Sequence, residues 1–315
     1  MQSPLAIRLA FFGRIRLRAT NKSTHERKKT MTVSRKPRGA FRSVMRRLCM
    51  AAVAALVLGV PQARATESFQ QTSVTLGYGF NSKYDPVFGY GTDDKKLAIG
   101  QVEHYGVWEY GDNYFDFEVY HGKGVGNIPA FSAAGFHSGS FADQTKLHYL
   151  GVYNNRLSMA KLTGTSFAFG PIKDVYPTVR LEVSDYANFH AVNPGVSFDL
   201  AVPGFAFFET AFYARYDRFT GDTRQGANLF WRTFAIAPFT IARLEFTFAP
   251  FLTVNFRKDD RGVETYFRPD VWLKVGDTPI DVGFRPEWHT YKRTAAEGGG
   301  RYSRVTPIIM ARWRI

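Results

Sequence analysis

The sequence is nearly without cysteine: the only one, Cys49, lies in an apolar run near the N-terminus. With that run removed no thiol remains, which excludes disulfides, cysteine-based zinc sites and cysteine nucleophiles. Long hydrophobic runs are absent too. The apolar stretch Leu48 to Val60 has thirteen residues, short of the roughly 20 that a membrane-spanning helix needs. From about residue 70 onward no 3.6-residue periodicity persists long enough for a substantial helix. Also missing are the H-E-x-x-H motif, the Walker A loop and the Rossmann fingerprint. The six histidines beyond residue 65 are scattered without metal-ligand spacing. No cofactor and no metal are expected.

Acids are scarce only at the start. Residues 1–65 hold fifteen of the 41 Lys+Arg and one of the 27 Asp+Glu, Glu26, which leaves 26 of each in the remainder. The basic total therefore carries no argument for a nucleic-acid partner, because the body of the chain is neutral.

The end of the basic segment has the form of a signal peptide: Arg46 and Arg47, the apolar run, then Ala63-Arg64-Ala65 before Thr66. Export with cleavage after Ala65 is expected. A retained anchor is the alternative. Residues 1–44 are polar and basic without a core-forming pattern, and read as an upstream mis-start, with Met31 or Met45 the true one, or as a basic cytoplasmic arm. Cys49 does not follow a small residue at a cleavage site, which argues against a lipoprotein. The division is then residues 1–44 as extension, 45–65 as signal and 66–315 as the folded domain.

That domain alternates with a period of two. Leu244, Phe246, Phe248, Pro250, Leu252, Val254 and Phe256 face one way, and Arg243, Glu245, Thr247, Ala249, Phe251, Thr253 and Asn255 the other. The segments 265–275 and 279–291 repeat the pattern, and aromatics make up 16% of the chain, as suits a membrane barrel with aromatic rims. The pattern predicts an all-β, antiparallel up-and-down transmembrane barrel in the outer membrane. Its strands are expected at 71–80, 96–108, 113–121, 145–157, 174–184, 195–202, 206–217, 227–238, 242–256, 263–275, 279–292 and 302–315. The even count and the alternation of long and short connections both fit a single-chain bacterial barrel. Only the stretch 158–173 has no account in the patterning.

Two stretches carry a family resemblance. Gly111 to Gly122 (GDNYFDFEVYHG), preceded by Val102-Glu103-His104, and Arg156 to Tyr176 (RLSMAKLTGTSFAFGPIKDVY) are similar to the Tsx-type nucleoside-specific channels, a family that includes vibrio-type phage-receptor porins. The resemblance implies a twelve-strand outer-membrane channel and nucleosides as solute.

With Phe115, Phe117 and Val119 toward lipid, Tyr114, Asp116, Glu118 and Tyr120 face the lumen. A lumen with acids and aromatics suits nucleosides, whose bases offer a π-face and whose ribose hydroxyls need acceptors. Glu103, Arg180, Tyr213, Arg215, Tyr266, Arg268, Asp270, Trp272, Arg285 and Glu287 are further candidate solute-binding residues. Tyr176, Glu182, Asp199, Glu209, Arg243, Glu245, Asp281, His289, Arg312 and Arg314 are also expected in the lumen. Mixed signs favour neutral or zwitterionic solutes. The alternative for any one residue is structural, since charges in a narrow barrel pair across strands and fill space.

Two rival functions remain. A surface receptor or adhesin with a plugged lumen would conduct poorly. An outer-membrane hydrolase would need a serine and histidine with an orienting acid or amide, and the adjacent pair His137-Ser138 lies in a Gly/Ser-rich loop. The chain is expected not to be an enzyme. Expected partners are the bilayer and lipopolysaccharide of the outer membrane, the barrel-assembly machinery and small neutral solutes.

Overall fold

The computed structural model describes residues 69–82, 94–122, 147–185, 189–218, 226–258, 262–292 and 299–315. The N-terminal extension, the signal region and His137-Ser138 lie outside the described residues.

Twelve strands make up the described domain: β1 (Phe69–Ser82), β2 (Asp94–Trp108), β3 (Gly111–Gly122), β4 (Leu147–Leu157), β5 (Ile172–Ser184), β6 (His190–Leu200), β7 (Phe207–Arg218), β8 (Asn228–Ile241), β9 (Leu244–Phe256), β10 (Val263–Lys274), β11 (Ile280–Lys292) and β12 (Arg301–Arg314). Each pairs antiparallel with its sequence neighbours, and β12 closes onto β1 from Ser73↔Arg314 to Gly79↔Ile308. Closure matters because a free sheet edge in hydrocarbon would leave a row of backbone groups unbonded.

The faces are inverted relative to a water-soluble protein. On β5, Thr178, Arg180 and Glu182 are buried inside, while Val179, Leu181 and Val183 are exposed. Leu76, Phe212, Phe284, Ile309 and Trp313 continue the exposed apolar wall on other strands. So large an apolar exterior would aggregate in water, and in a bilayer it is the lipid-facing band. The chain is an outer-membrane β-barrel.

Three expectations need correction. First, β6 begins at His190, not 195. Pro194 reads as a strand breaker, yet it pairs with Val179 of β5 while the β6–β7 ladder is interrupted between Val192↔Tyr216 and Gly195↔Tyr213. The proline is accommodated where one ladder lapses. Second, β8 runs on to Ile241, and Ala242-Arg243 form the hairpin turn with φ of 48° and 71°. A two-residue hairpin takes positive φ at both turn positions, so Arg243 belongs to the turn and not to the lumen. Third, the unexplained 158–173 stretch contains a short helix, α1 (Met159–Thr163). Ser158 Oγ accepts from the Lys161 N–H at 3.1 Å and donates to Asp174, and Gly164 at φ 68° ends the turn.

One pattern emerges only from the register. Pro250 lies opposite Pro269, and Pro286 opposite Pro307. The β10–β11 ladder is interrupted between Phe267↔Trp288 and Val271↔Phe284, the gap in which Pro269 and Pro286 fall. The β8–β9 ladder likewise lapses between Phe234↔Phe251 and Ala237↔Phe248, beside Pro250. The four prolines thus form a row across β9–β12, and two strand seams there lack continuous backbone pairing.

Candidate functional site in the barrel lumen

Because successive side chains point to opposite faces, every strand delivers alternate residues inward, and polar ones meet there. They arrange themselves as ion-pair clusters. Near the short-turn end, Arg156 forms a two-pronged pair with Asp112 at 2.8 and 2.6 Å and reaches Asp199 at 2.7 Å, with the Tyr176 ring 4.4 Å from the guanidinium. Arg232 grips Glu209 with contacts of 2.8 and 2.7 Å. Higher in the barrel, Glu182 accepts from Arg180 at 2.7 Å and from Arg215 at 2.8 Å. On the other wall Arg285 forms a two-pronged pair with Asp270 at 2.9 and 2.8 Å, and Arg312 pairs with Asp281 at 2.7 Å. A buried charge without a partner is strongly destabilising, so the pairing is what permits a charged interior.

Two carboxylates of the cavity wall stand outside this pairing. Glu103 and Asp116 lie directly opposite each other in the β2–β3 register. Glu103 accepts from the Tyr114 hydroxyl at 2.8 Å, and Asp116 from Gln101 Nε2 at 3.0 Å. Among the described residues neither has a cation within ion-pair distance, although like charges directly opposite are unfavourable.

Both line a lumen cavity of about 460 Å³. That size lies within the range of roughly 300–1,000 Å³ that holds small ligands. Its wall alternates charge with aromatic surface: Tyr105, Tyr114, Phe207, Phe230, Phe251 and Tyr266 beside Glu118, Arg180, Arg215, Arg232 and Arg268. Glycine makes room for two other rings in the lumen. A Cβ on Gly283 would come within 2.5 Å of the Trp272 ring, and one on Gly195 within 2.6 Å of the Tyr213 ring. Each aromatic faces its glycine in register and lies against the bare backbone.

Of the fourteen candidate residues, Glu103, Tyr114, Asp116, Glu118, Arg180, Arg215, Tyr266, Arg268, Asp270 and Trp272 line this cavity. Tyr120, Tyr213, Arg285 and Glu287 are buried but are not part of its lining. Tyr120 donates to Glu118, Tyr213 donates to Asn154 at 3.2 Å, and Arg285 is engaged by Asp270. Their inward orientation is legible from alternation, but which of them other side chains cover is not. Sequence reasoning passed over Asp112, Asn154, Arg156, Phe230 and Arg232, all in the lining. Asp112 could have been found by carrying the alternation of Tyr114 and Asp116 back to the start of β3. On β8 the signal is ambiguous, because Phe230 inside and Trp231 outside are both aromatic.

No protein-family model matches the chain, and no curated protein does. The Tsx-type resemblance therefore stands on its two sequence stretches. Among solved structures, the chain is similar to a KdgM porin in complex with disordered oligogalacturonate, at 8% identity over 76% of this chain and 98% of that one, with TM-score 0.39. It is similar also to a bacterial polysaccharide outer membrane secretin, at 10% identity over 79% and 99%, TM-score 0.36. A third is the outer membrane protein Omp33 of Acinetobacter baumannii, at 10% identity over 80% and 100%, TM-score 0.33. None of these three is close enough to lend the chain a substrate.

Proposed function

We propose that the barrel is a passive channel for small, net-neutral polar solutes, and that nucleosides are its preferred class. The observation that carries the reading is the cavity of about 460 Å³ with Glu103 and Asp116 at its wall, two carboxylates without a cation beside the aromatic rings of Tyr105, Tyr114 and Tyr266. Ribose hydroxyls are donors in search of acceptors, and a nucleobase stacks on aromatic faces at a gain of about 1–3 kcal/mol per base. The arginines supply no free excess of positive charge, since Arg156, Arg180, Arg215, Arg232 and Arg285 are each held by a carboxylate. An anion pore would be expected to present an uncompensated basic ring. The same reading takes the bilayer and lipopolysaccharide as surroundings and the barrel-assembly machinery as the agent of insertion.

Liposome swelling with purified barrel tests it: nucleosides should enter faster than sugars or amino acids of similar size, and equal rates would remove the specificity. Asp116→Asn should lower nucleoside flux while flux of an unrelated sugar and the heat-modifiability of the folded barrel stay as in wild type. An Asn variant that folds and passes every solute at the wild-type rate would take Asp116 out of the site. The second reading, a surface receptor with little transport, draws on the large part of the lumen that side chains fill, with Leu97, Ile99, Tyr120, Ile308 and Met310 packed together inside the barrel. Single-channel conductance separates the two, since a plugged barrel conducts poorly.

A further inference from the structure

The lumen is partitioned. Arg268 of β10 donates to Glu118 of β3 at 2.8 Å, and these strands are separated by four strands on one side of the barrel and six on the other. The contact therefore spans the bore. A second chain of bonds runs alongside it: Asp270 to Arg285 at 2.8 Å, Arg285 to Gln101 at 3.3 Å and Gln101 to Asp116 at 3.0 Å. Together they link β10, β11, β2 and β3 through side chains alone.

The two sides of this wall differ. On one side lie Leu97 and Ile99 of β2, Tyr120 of β3, and Ile308 and Met310 of β12, at most 5% exposed, and none of them lines the cavity. On its other side lies the cavity, whose lining includes Asn154, Arg180, Arg215 and Arg232 toward β4–β9 and also Ser73, Glu103, His289 and Arg312 of β1, β2, β11 and β12. Glu118 and Arg268 stand on the boundary, for both line the cavity, and the Phe251 ring sits 5.2 Å from the Arg268 guanidinium on the open side.

We infer that the Glu118–Arg268 pair is a partition between the apolar cluster and the cavity, and that it sets the upper size of what passes. This deepens the channel reading and rests on it. The full bore of a twelve-strand barrel is not the pore; the pore is the space that the partition leaves.

The test is single-channel conductance in planar bilayers, with polymer exclusion as a measure of size limit, on two pair variants whose folding is checked by heat-modifiability. Glu118→Ala with Arg268→Ala removes both charges, so neither is orphaned; conductance should rise roughly 1.5-fold and the exclusion limit should increase. Leu97→Ala with Ile308→Ala removes side-chain volume from behind the partition, and conductance should stay at the wild-type value. A Glu118/Arg268 variant that conducts as wild type overturns the partition and leaves the channel reading intact. An equal rise in the Leu97/Ile308 variant overturns it as well, by showing that the filled side is part of the path. A silent wild type with a conducting Glu118/Arg268 variant overturns both the size-limiting partition and the open-channel reading, by showing that the pair closes the lumen outright. Silence from all three overturns both. Should the alanine pair not fold, Glu118→Gln with Arg268→Gln is read in the same way.

Discussion

At the residue scale the barrel is governed by which of two faces a side chain occupies and what stands opposite it. Phe248 and Thr247 are neighbours in sequence and opposites in environment. An arginine at a mid-bilayer lipid-facing site costs about 2–4 kcal/mol, so Phe248→Arg should impair assembly into the folded, heat-modifiable form far more than Thr247→Arg. Equal loss would place the strand one residue out of register. Gly195 is decided by its cross-strand neighbour. A Cβ there would lie 2.3 Å from the Phe212 carbonyl oxygen as well as against Tyr213, and neither backbone nor ring can withdraw cheaply. Gly195→Val should lower stability by about 1–3 kcal/mol, as overpacking does, measured by urea unfolding of the barrel in bilayers. The orientation of most lumen residues was legible in alternation, and Arg243 was misplaced because alternation has no means of marking a two-residue turn.

At the scale of elements, the proline row raises the question of what holds the interrupted seams. Between β10 and β11 the ladder lapses from Phe267↔Trp288 to Val271↔Phe284, and inside that interval the two-pronged Arg285–Asp270 pair bridges the same two strands on the lumen side. The ion pair substitutes for backbone bonds that proline cannot make. Removing one partner of such a buried pair costs about 3–5 kcal/mol, whereas replacing both with apolar groups of similar volume is often neutral. Arg285→Met should therefore weaken the barrel by that amount in urea unfolding, and Asp270→Leu combined with Arg285→Met should recover most of the loss. A double variant as unstable as the single would assign the cost to packing. Individual prolines at lipid-facing positions could be read from the sequence. Their alignment into a row could not, since it depends on the stagger of four strands.

At the scale of the whole molecule, closure of β12 onto β1 defines the inside, and the inside defines the chemistry. The barrel spans the outer membrane with its apolar wall outward and its arginines held by carboxylates within. Reaching that location requires export, and the chain from Met45 to Ala65 is proposed as its signal. N-terminal sequencing of the membrane-embedded protein should begin at Thr66; retention of residues 1–44 would overturn the export model.

What the sequence determined by itself is everything that depends on a period of two and on connection length: the strand count, the apolar exterior, the inward set of polar residues and the class of fold. These are local properties, because the direction of a side chain follows from its parity along one strand. What only the tertiary structure decided is which inward residues meet. Glu118 and Arg268 are 150 positions apart, and their contact depends on how far each strand is staggered against the next as the sheet curls shut. Stagger accumulates around the ring through register, bulges and prolines, so it is fixed by all twelve pairings together. The same closure that brings those two side chains across the bore also leaves Glu103 and Asp116 facing each other without a cation, and no pattern along either strand announces that.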